Sequence, residues 1–311
     1  MLSIKNCGIM LEPQMGMTML EVVSTARLVE RLGFGYLFRS DHLLPTDNRR
    51  GVDSPECWTS LGALAASTTD LRFGPMVTPI GFRNPALLAR MACTLHSFSG
   101  GRLQLAVGAG WYESEYRAHG YPFPPFKERM SQFDEAFSVI SSLVREGRAD
   151  FDGSYFSAHT DCLPRPDGKV NVIIGGRSKP LAAMAARRAD EWNVFLSPPE
   201  TYSLLKATFD SALDGRSVVV SETGPFMLGR DPGQLESFAR MQASWLKSEA
   251  SPQETLSRLK ARDAPVGSPE EFLEKVGRKV DAGIERFYFQ LLAPENTAML
   301  ELLAETLKGG V

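Results

Sequence analysis

The stretch VNVIIGGRSKPLAAMAARRADEWNVFL, from Val170 to Leu196, decides the fold class. Val170 to Ile174 is an unbroken apolar run, as a strand covered on both faces requires. Leu181 to Arg188 follows as a short helix and Trp192 to Leu196 as a second strand. This is a βαβ unit, which sets its two strands parallel in one sheet. The rhythm extends upstream. Ile4 to Leu11 and Phe34 to Phe38 are strands flanking a helix, Leu20 to Leu32, with Val22, Ala26 and Val29 on one stripe and Gly33 closing it. Leu71 to Pro79 and Arg102 to Val107 are strands around a helix from Pro85 to Leu95. A long helix then places Met130, Phe133, Phe137, Ile140 and Val144 three and four apart.

Downstream come a helix from Glu200 to Leu213, a strand at Val218 to Ser221, a mostly helical Pro232 to Val280, and a strand at Ile284 to Leu292. Eight strand–helix repeats predict an α/β chain folded as a (β/α)8 TIM barrel with rim insertions, one domain over residues 1–311. A doubly wound sheet would place a Gly-rich turn after the first strand, where this chain has Glu12 and Pro13. His119 to Phe126 and Phe151 to Lys169 break the repeat and read as excursions on the rim.

Composition bounds the function. Lys and Arg number 34 against 37 Asp and Glu, a net charge of −3 with scattered charges, which argues against a nucleic-acid surface. Small molecules or other chains are the expected partners. Cys7, Cys57, Cys93 and Cys162 are dispersed, as are His42, His96, His119 and His159, so free thiols and no metal are expected. The start, Met1 to Asn6, has no signal-peptide pattern, and no apolar run approaches the ~18 residues that span a bilayer. No membrane partner and a soluble, cytoplasmic protein are therefore expected.

In a barrel of this kind the chemistry lies at the carboxyl ends of the strands. Strand two ends in Ser40, Asp41 and His42, a carboxylate beside an imidazole that is able to hold and donate a proton near neutral pH. The pair also fits a plainer role, with Asp41 capping a turn and His42 on the rim. Strand three holds Gly74, Pro75 and Pro79 around Met76, Val77 and Thr78, which argues for a bulge shaped toward a ligand or for a distorted strand end. Strand four ends in Gly108, Ala109, Gly110 and Trp111. Those small residues leave room for a flat ligand with Trp111 as a wall, and they equally fit a tight turn. Glu113 and Glu115 read as solvated charges at a helix start. Strand five ends in Gly175, Gly176, Arg177 and Ser178 ahead of a helix, where backbone N–H groups, a guanidinium and a hydroxyl suit a phosphate. Arg39 and Arg83 are candidates to meet an anionic substrate or a cofactor's acidic tail.

Taken in order, these segments resemble the bacterial-luciferase-like monooxygenase family, especially its branch that uses the deazaflavin coenzyme F-420. The resemblance rests on Ser40 to His42, Thr78-Pro79, Arg83 to Pro85, Ser99 to Arg102, Gly108 to Trp111 with Glu115, Gly175-Gly176, Ala189 to Asn193 and Val266 to Glu271. It implies a homodimeric barrel holding a flavin or deazaflavin, with Asp41 and His42 beside the ring and His42 as proton donor or polar wall. It implies a cis peptide at Met76–Val77 behind the ring, with Thr78, Gly108, Ala109, Gly110 and Trp111 around it. Phosphate contacts are implied at Gly175, Gly176, Arg177 and Ser178. The sugar-phosphate dehydrogenases of the family carry Glu after the strand-four Gly-x-Gly, where this chain has Trp111.

The expected function is hydride transfer between coenzyme F-420 and a small organic substrate. The alternatives are a reduced-FMN monooxygenase using O2 and a flavin-binding barrel without turnover. An unrelated aldolase or isomerase barrel is disfavoured by the lack of a strand-end Lys.

Overall fold

The computed structural model describes residues 3–47, 49–166 and 168–309. Met1, Leu2, Asn48, Asp167, Gly310 and Val311 lie outside it, and with them the first two positions of the N-terminal pattern and one position of the Phe151 to Lys169 excursion.

Eight strands form the predicted barrel: β1 (Cys7–Leu11), β2 (Tyr36–Arg39), β3 (Arg72–Pro75, resumed at Thr78–Pro79), β4 (Gln104–Gly108), β5 (Asn171–Gly175), β6 (Glu191–Phe195), β7 (Val219–Pro225) and β8 (Arg286–Leu291). Every neighbouring pair is parallel, and β1 lies between β2 and β8. The ring closes across β3. Its first piece pairs with β2, in the register Arg39 opposite Pro75, and its second with β4, in the register Thr78 opposite Val107. A bridge from Phe73 to Leu103 joins the first piece to the base of β4. Between the pieces the Met76–Val77 peptide is cis, at the bond the resemblance implies.

Alternation along the strands sorts side chains to two sides. Met10, Tyr36, Phe38, Met76, Ala106, Ile173 and Tyr288 fill the inside of the ring. Ile9, Leu11, Leu37, Leu105, Val107, Val172 and Ile174 face the helices, which explains why those strands read as continuous apolar runs. The helix Phe126–Glu146 buries Phe133, Ala136, Phe137, Ile140, Leu143 and Val144 on one stripe and stops at Gly147, whose φ is +78°. Each fully buried Phe of that stripe contributes about 1.5–3 kcal/mol.

Three features differ from the sequence reading. Residues Ile4–Asn6 are a 3-10 turn capped by Ser3, so β1 begins at Cys7. A helix, Cys57–Ser67, fills the connection after β2, its first turn capped by the Glu56 carboxylate. An antiparallel hairpin, Arg148–Asp152 with Ser157–Asp161, begins three residues ahead of the second rim excursion and fills its first part. Among the described residues, no helix is long and apolar enough to cross a membrane.

Candidate active site

The residues after β2 take partners other than each other. Asp41, 2% exposed, accepts from the Thr78 hydroxyl at 2.9 Å and from both terminal nitrogens of Arg83 at 2.6 and 3.2 Å. Thr78 in turn accepts from the indole N–H of Trp58 at 3.0 Å, and Arg83 also donates to Glu56 at 2.6 Å. Burial pushes the Asp41 carboxyl above the usual aspartate range, against the pull of Arg83 and Thr78. Arg83 loses by burial but is held above its own ordinary value by the charge of Asp41. Arg83 is therefore a structural counter-ion, not an exposed anion hook. Arg39 is fully buried, donating to Ser40 O at 2.7 Å and to Pro55 O and Ser60 Oγ at 2.8 Å each, so it does not meet a ligand either.

His42 pairs with Glu115. Its Nδ1 lies 2.9 and 3.1 Å from the two Glu115 carboxylate oxygens, and the Leu43 N–H donates to the same carboxylate at 2.9 Å. Glu115 is 1% exposed, which corrects its reading as a solvated charge. Glu113 does fit that reading, since it is exposed and paired with Arg117 four residues on. That outward i,i+4 pair was the available signal, because it turns Glu115 and Tyr116 inward on the helix Glu113–Ala118. Burial works against a charged His42 ring, but the bond to Glu115 and its charge outweigh it, so His42 titrates above the ordinary histidine value. Among the described residues, no hydrogen bond engages the other ring nitrogen, Nε2. Trp111, 67% exposed, meets the His42 ring edge-on at 5.5 Å and stacks on Tyr112 at 5.3 Å.

Val77 joins the two sides of the mouth. A Cβ on Gly108 would lie 2.5 Å from Val77 Cγ2, and one on Gly175 would lie 2.3 Å from Val77 Cγ1. Only glycine at both strand ends lets Val77 sit between them. Gly175→Ala is expected to cost about 1–3 kcal/mol by overpacking, read as a lower unfolding midpoint. Met76 belongs to the filling of the ring, one layer deeper. Gly110 has a φ of +77°, and a Cβ there would strike the Tyr116 hydroxyl at 2.2 Å, so the need for positive φ is met at Gly110, while Gly108 still belongs to β4.

At the fifth strand the anion cradle is smaller than the sequence implied. The Gly176 N–H is committed to Asn193 O at 3.0 Å, and Gly176 O accepts from Trp192 at 3.1 Å. Ser178 caps the helix Lys179–Arg188 by accepting from the Leu181 N–H. Arg177 is exposed above the Phe195 ring and, among the described residues, has no carboxylate partner. No hydrogen bond or ring contact among the described residues joins Arg177 to Asp41 or Trp111. The connection runs through Thr78, Val77 and Gly175.

A buried carboxylate–imidazole pair, a guanidinium-bound Asp41 and a glycine-walled mouth all occupy the carboxyl ends of the barrel strands. A family model, luciferase-like monooxygenase, matches residues 6–286. The chain belongs to the luciferase-like monooxygenase family. Relatives of the chain include an F-420-dependent glucose-6-phosphate dehydrogenase of Beutenbergia cavernae, 35% identical over 165 residues that make up 52% of this chain and 48% of the relative. The pyrimidine monooxygenase RutA of Agrobacterium fabrum is 35% identical over 179 residues, 53% of this chain and 48% of the relative. The chain thus spans about half the length of the curated relatives it matches. Among solved structures, an F-420-dependent secondary alcohol dehydrogenase in complex with an F-420–acetone adduct shares the fold, with a TM-score of 0.79, 21% identity and 98% coverage of both chains. The long-chain alkane monooxygenase LadA does so with a TM-score of 0.78 and 16% identity, covering 97% of this chain and 91% of that one.

Proposed function

We propose that the protein is an oxidoreductase that holds coenzyme F-420 in the mouth of the barrel and moves a hydride to or from a small organic substrate. The observation that carries this reading is the His42–Glu115 pair beside the Asp41–Thr78–Arg83 network, next to a mouth walled by glycine. The residues fit the group. Gly108 and Gly175 keep the strand ends bare around Val77, and Nε2 of His42 is left for a ligand. Arg177 and the Lys179 N–H form a donor set for one phosphate, since Pro180 has no N–H and that of Leu181 is taken by Ser178.

When bound, the deazaflavin supplies the hydride chemistry. The protein's part is to orient, to exclude water and to manage a proton. Glu115 fixes the His42 ring through Nδ1 and raises its basicity, so that Nε2 donates a proton when the substrate is reduced and accepts one in the reverse direction. Trp111 stands over His42 where the family's sugar-phosphate dehydrogenases carry Glu, which favours a substrate with an apolar face over a sugar phosphate. The proposal extends to one domain over 1–311 acting as a homodimer in the cytoplasm, supported by the family resemblance and by four buried, free cysteines.

The second reading, a reduced-FMN monooxygenase, is favoured by the likeness to the pyrimidine and alkane monooxygenases. Separate fluorescence titrations with F-420 and FMN decide between them. Micromolar binding of F-420 alone supports the first reading, binding of FMN alone supports the second, and binding of neither overturns both. Arg177→Ala is expected to weaken F-420 roughly fivefold at low salt, with the loss shrinking as salt is raised. An equal loss for a deazaflavin lacking the phosphate would remove Arg177 from the phosphate site.

A further inference from the structure

Rim segments beside the mouth line a cavity of about 430 Å³. It opens between the loop after β3, the end of β4, the first rim excursion and the tip of the hairpin. Phe82, Tyr116, Tyr121 and Tyr155 line it, together with Arg129 from the long helix. The Phe82 ring lies 4.6 Å from Tyr116 and 5.2 Å from Tyr121, giving one wall a continuous aromatic face.

Two of the residues lining this space each hold a buried polar atom without a partner, the Tyr116 hydroxyl and the Nε of Arg129. Tyr116 is 1% exposed, and burial pushes its phenol up, so it remains an O–H donor. Arg129 donates from Nη1 to Pro124 O at 2.7 Å and lies 3.9 Å over the Phe123 ring. Among the described residues, no carboxylate forms an ion pair with it. Arg83, which also lines the cavity, is neutralised by Asp41 and Glu56. The cavity wall therefore holds one uncompensated guanidinium and, just beneath its surface, two donors that lack acceptors, and buried donors left unpaired are relieved when side chains shift to meet an acceptor oxygen.

We propose that this cavity binds the carboxylate end of a small ligand with a flat apolar body, with Arg129 as counter-charge and Tyr116 as second donor. A planar guanidinium matches the two oxygens of a carboxylate, and the aromatic wall takes the flat body. The volume lies within the ~300–1,000 Å³ of small-molecule sites. Ala109 and Arg83 belong both to this cavity and to the mouth described above, so a ligand here borders the Asp41 network. Two sources offer this chemistry: a free organic acid acting as substrate, and the acidic tail of the cofactor. The second rests on the proposed cofactor.

Calorimetric titration of the full chain with phenylacetate and with phenylacetamide tests the site. The acid is expected to bind at least tenfold more tightly than the amide. Arg129→Met is expected to weaken the acid at least tenfold, and Arg129→Lys less, because the charge stays while the fork is lost. Tyr116→Phe is expected to weaken it roughly threefold to tenfold while leaving the unfolding midpoint unchanged or higher, since the hydroxyl has no partner to lose. A merely structural tyrosine would move both together. Equal binding of acid and amide, or unchanged acid binding in Arg129→Met, overturns the proposal.

Repeating the deazaflavin titrations under saturating phenylacetate separates the sources. Competition with F-420, but not with a tail-less deazaflavin, assigns the site to the tail. Simultaneous binding assigns it to a separate acid. If neither deazaflavin binds, the cofactor reading fails while the phenylacetate result stands.

Discussion

His42→Ala is expected to lower turnover about 10²–10⁴-fold, the range a positioned general acid or base contributes, with binding of the cofactor ring retained. In the proposed function His42 is a proton carrier, not a packing residue. Its Nδ1 is committed to a carboxylate only 1% exposed, and Nε2 is left without a protein partner among the described residues. Single-turnover kinetics beside a fluorescence titration check this. Unchanged turnover with intact binding would remove His42 from the mechanism.

Glu115→Gln tests the same pair through its pH dependence. Glu115 is what lifts His42 above the ordinary histidine value against the opposing effect of burial. Under the proposed function, protonated His42 is the active form in the direction that reduces the substrate, so the rate is expected to be present below its pKa and lost as pH rises through it. Removing the Glu115 charge leaves burial less opposed, and that falling limb moves to lower pH. In the reverse direction the rising limb moves the same way. The sign for stability follows from the raised folded pKa. The pair stabilises fully below the unfolded histidine value and loses this as pH rises through the folded one, so Glu115→Gln costs more stability in acid than in alkali.

The barrel was legible because strand and helix periods are local and recur eight times. The carboxyl ends were legible as a place, since Asp41, His42, Val77, Gly108 and Gly175 all lie there. The pairings were not. Asp41 and His42 are neighbours in sequence, yet their side chains leave in different directions, one to Arg83 after β3 and the other to Glu115 after β4. Such partners are set by how loops from separate strands fold over the mouth, and adjacency along one chain carries no information about that. The Gly176 N–H was misjudged for a similar reason, because its acceptor comes from β6 and is visible only once the register of Gly175 opposite Asn193 is known. The hairpin was missed because its strands, with Arg148, Asp150, Asp152, Ser157, His159 and Asp161, present mostly polar faces to solvent and leave little apolar alternation to detect.

Arg83→Met is expected to destabilise the protein by about 3–5 kcal/mol, the cost of leaving a buried charge without its partner. Asp41 is 2% exposed, and after the substitution only Thr78 among the described residues still donates to it, while Glu56, partly exposed, is better hydrated. Asp41→Asn alone leaves Arg83 with Glu56 and is expected to cost less. The double variant Asp41→Asn, Arg83→Met removes both charges of the buried pair, and the introduced amide oxygen still accepts from Thr78, so its loss should fall below that of Arg83→Met alone. Urea unfolding midpoints of the three variants measure this coupling, and additive losses would mean that Arg83 acts through its stem and not through its charge. The pH dependence gives a second sign. Burial already pushes the Asp41 carboxyl up, and without Arg83 it rises further. A folded value above the unfolded one means that stability is lost as pH rises above the unfolded aspartate range. The Arg83→Met penalty should therefore be larger at pH 8 than at pH 5. A penalty that is flat with pH would show that Asp41 is not the charge Arg83 holds.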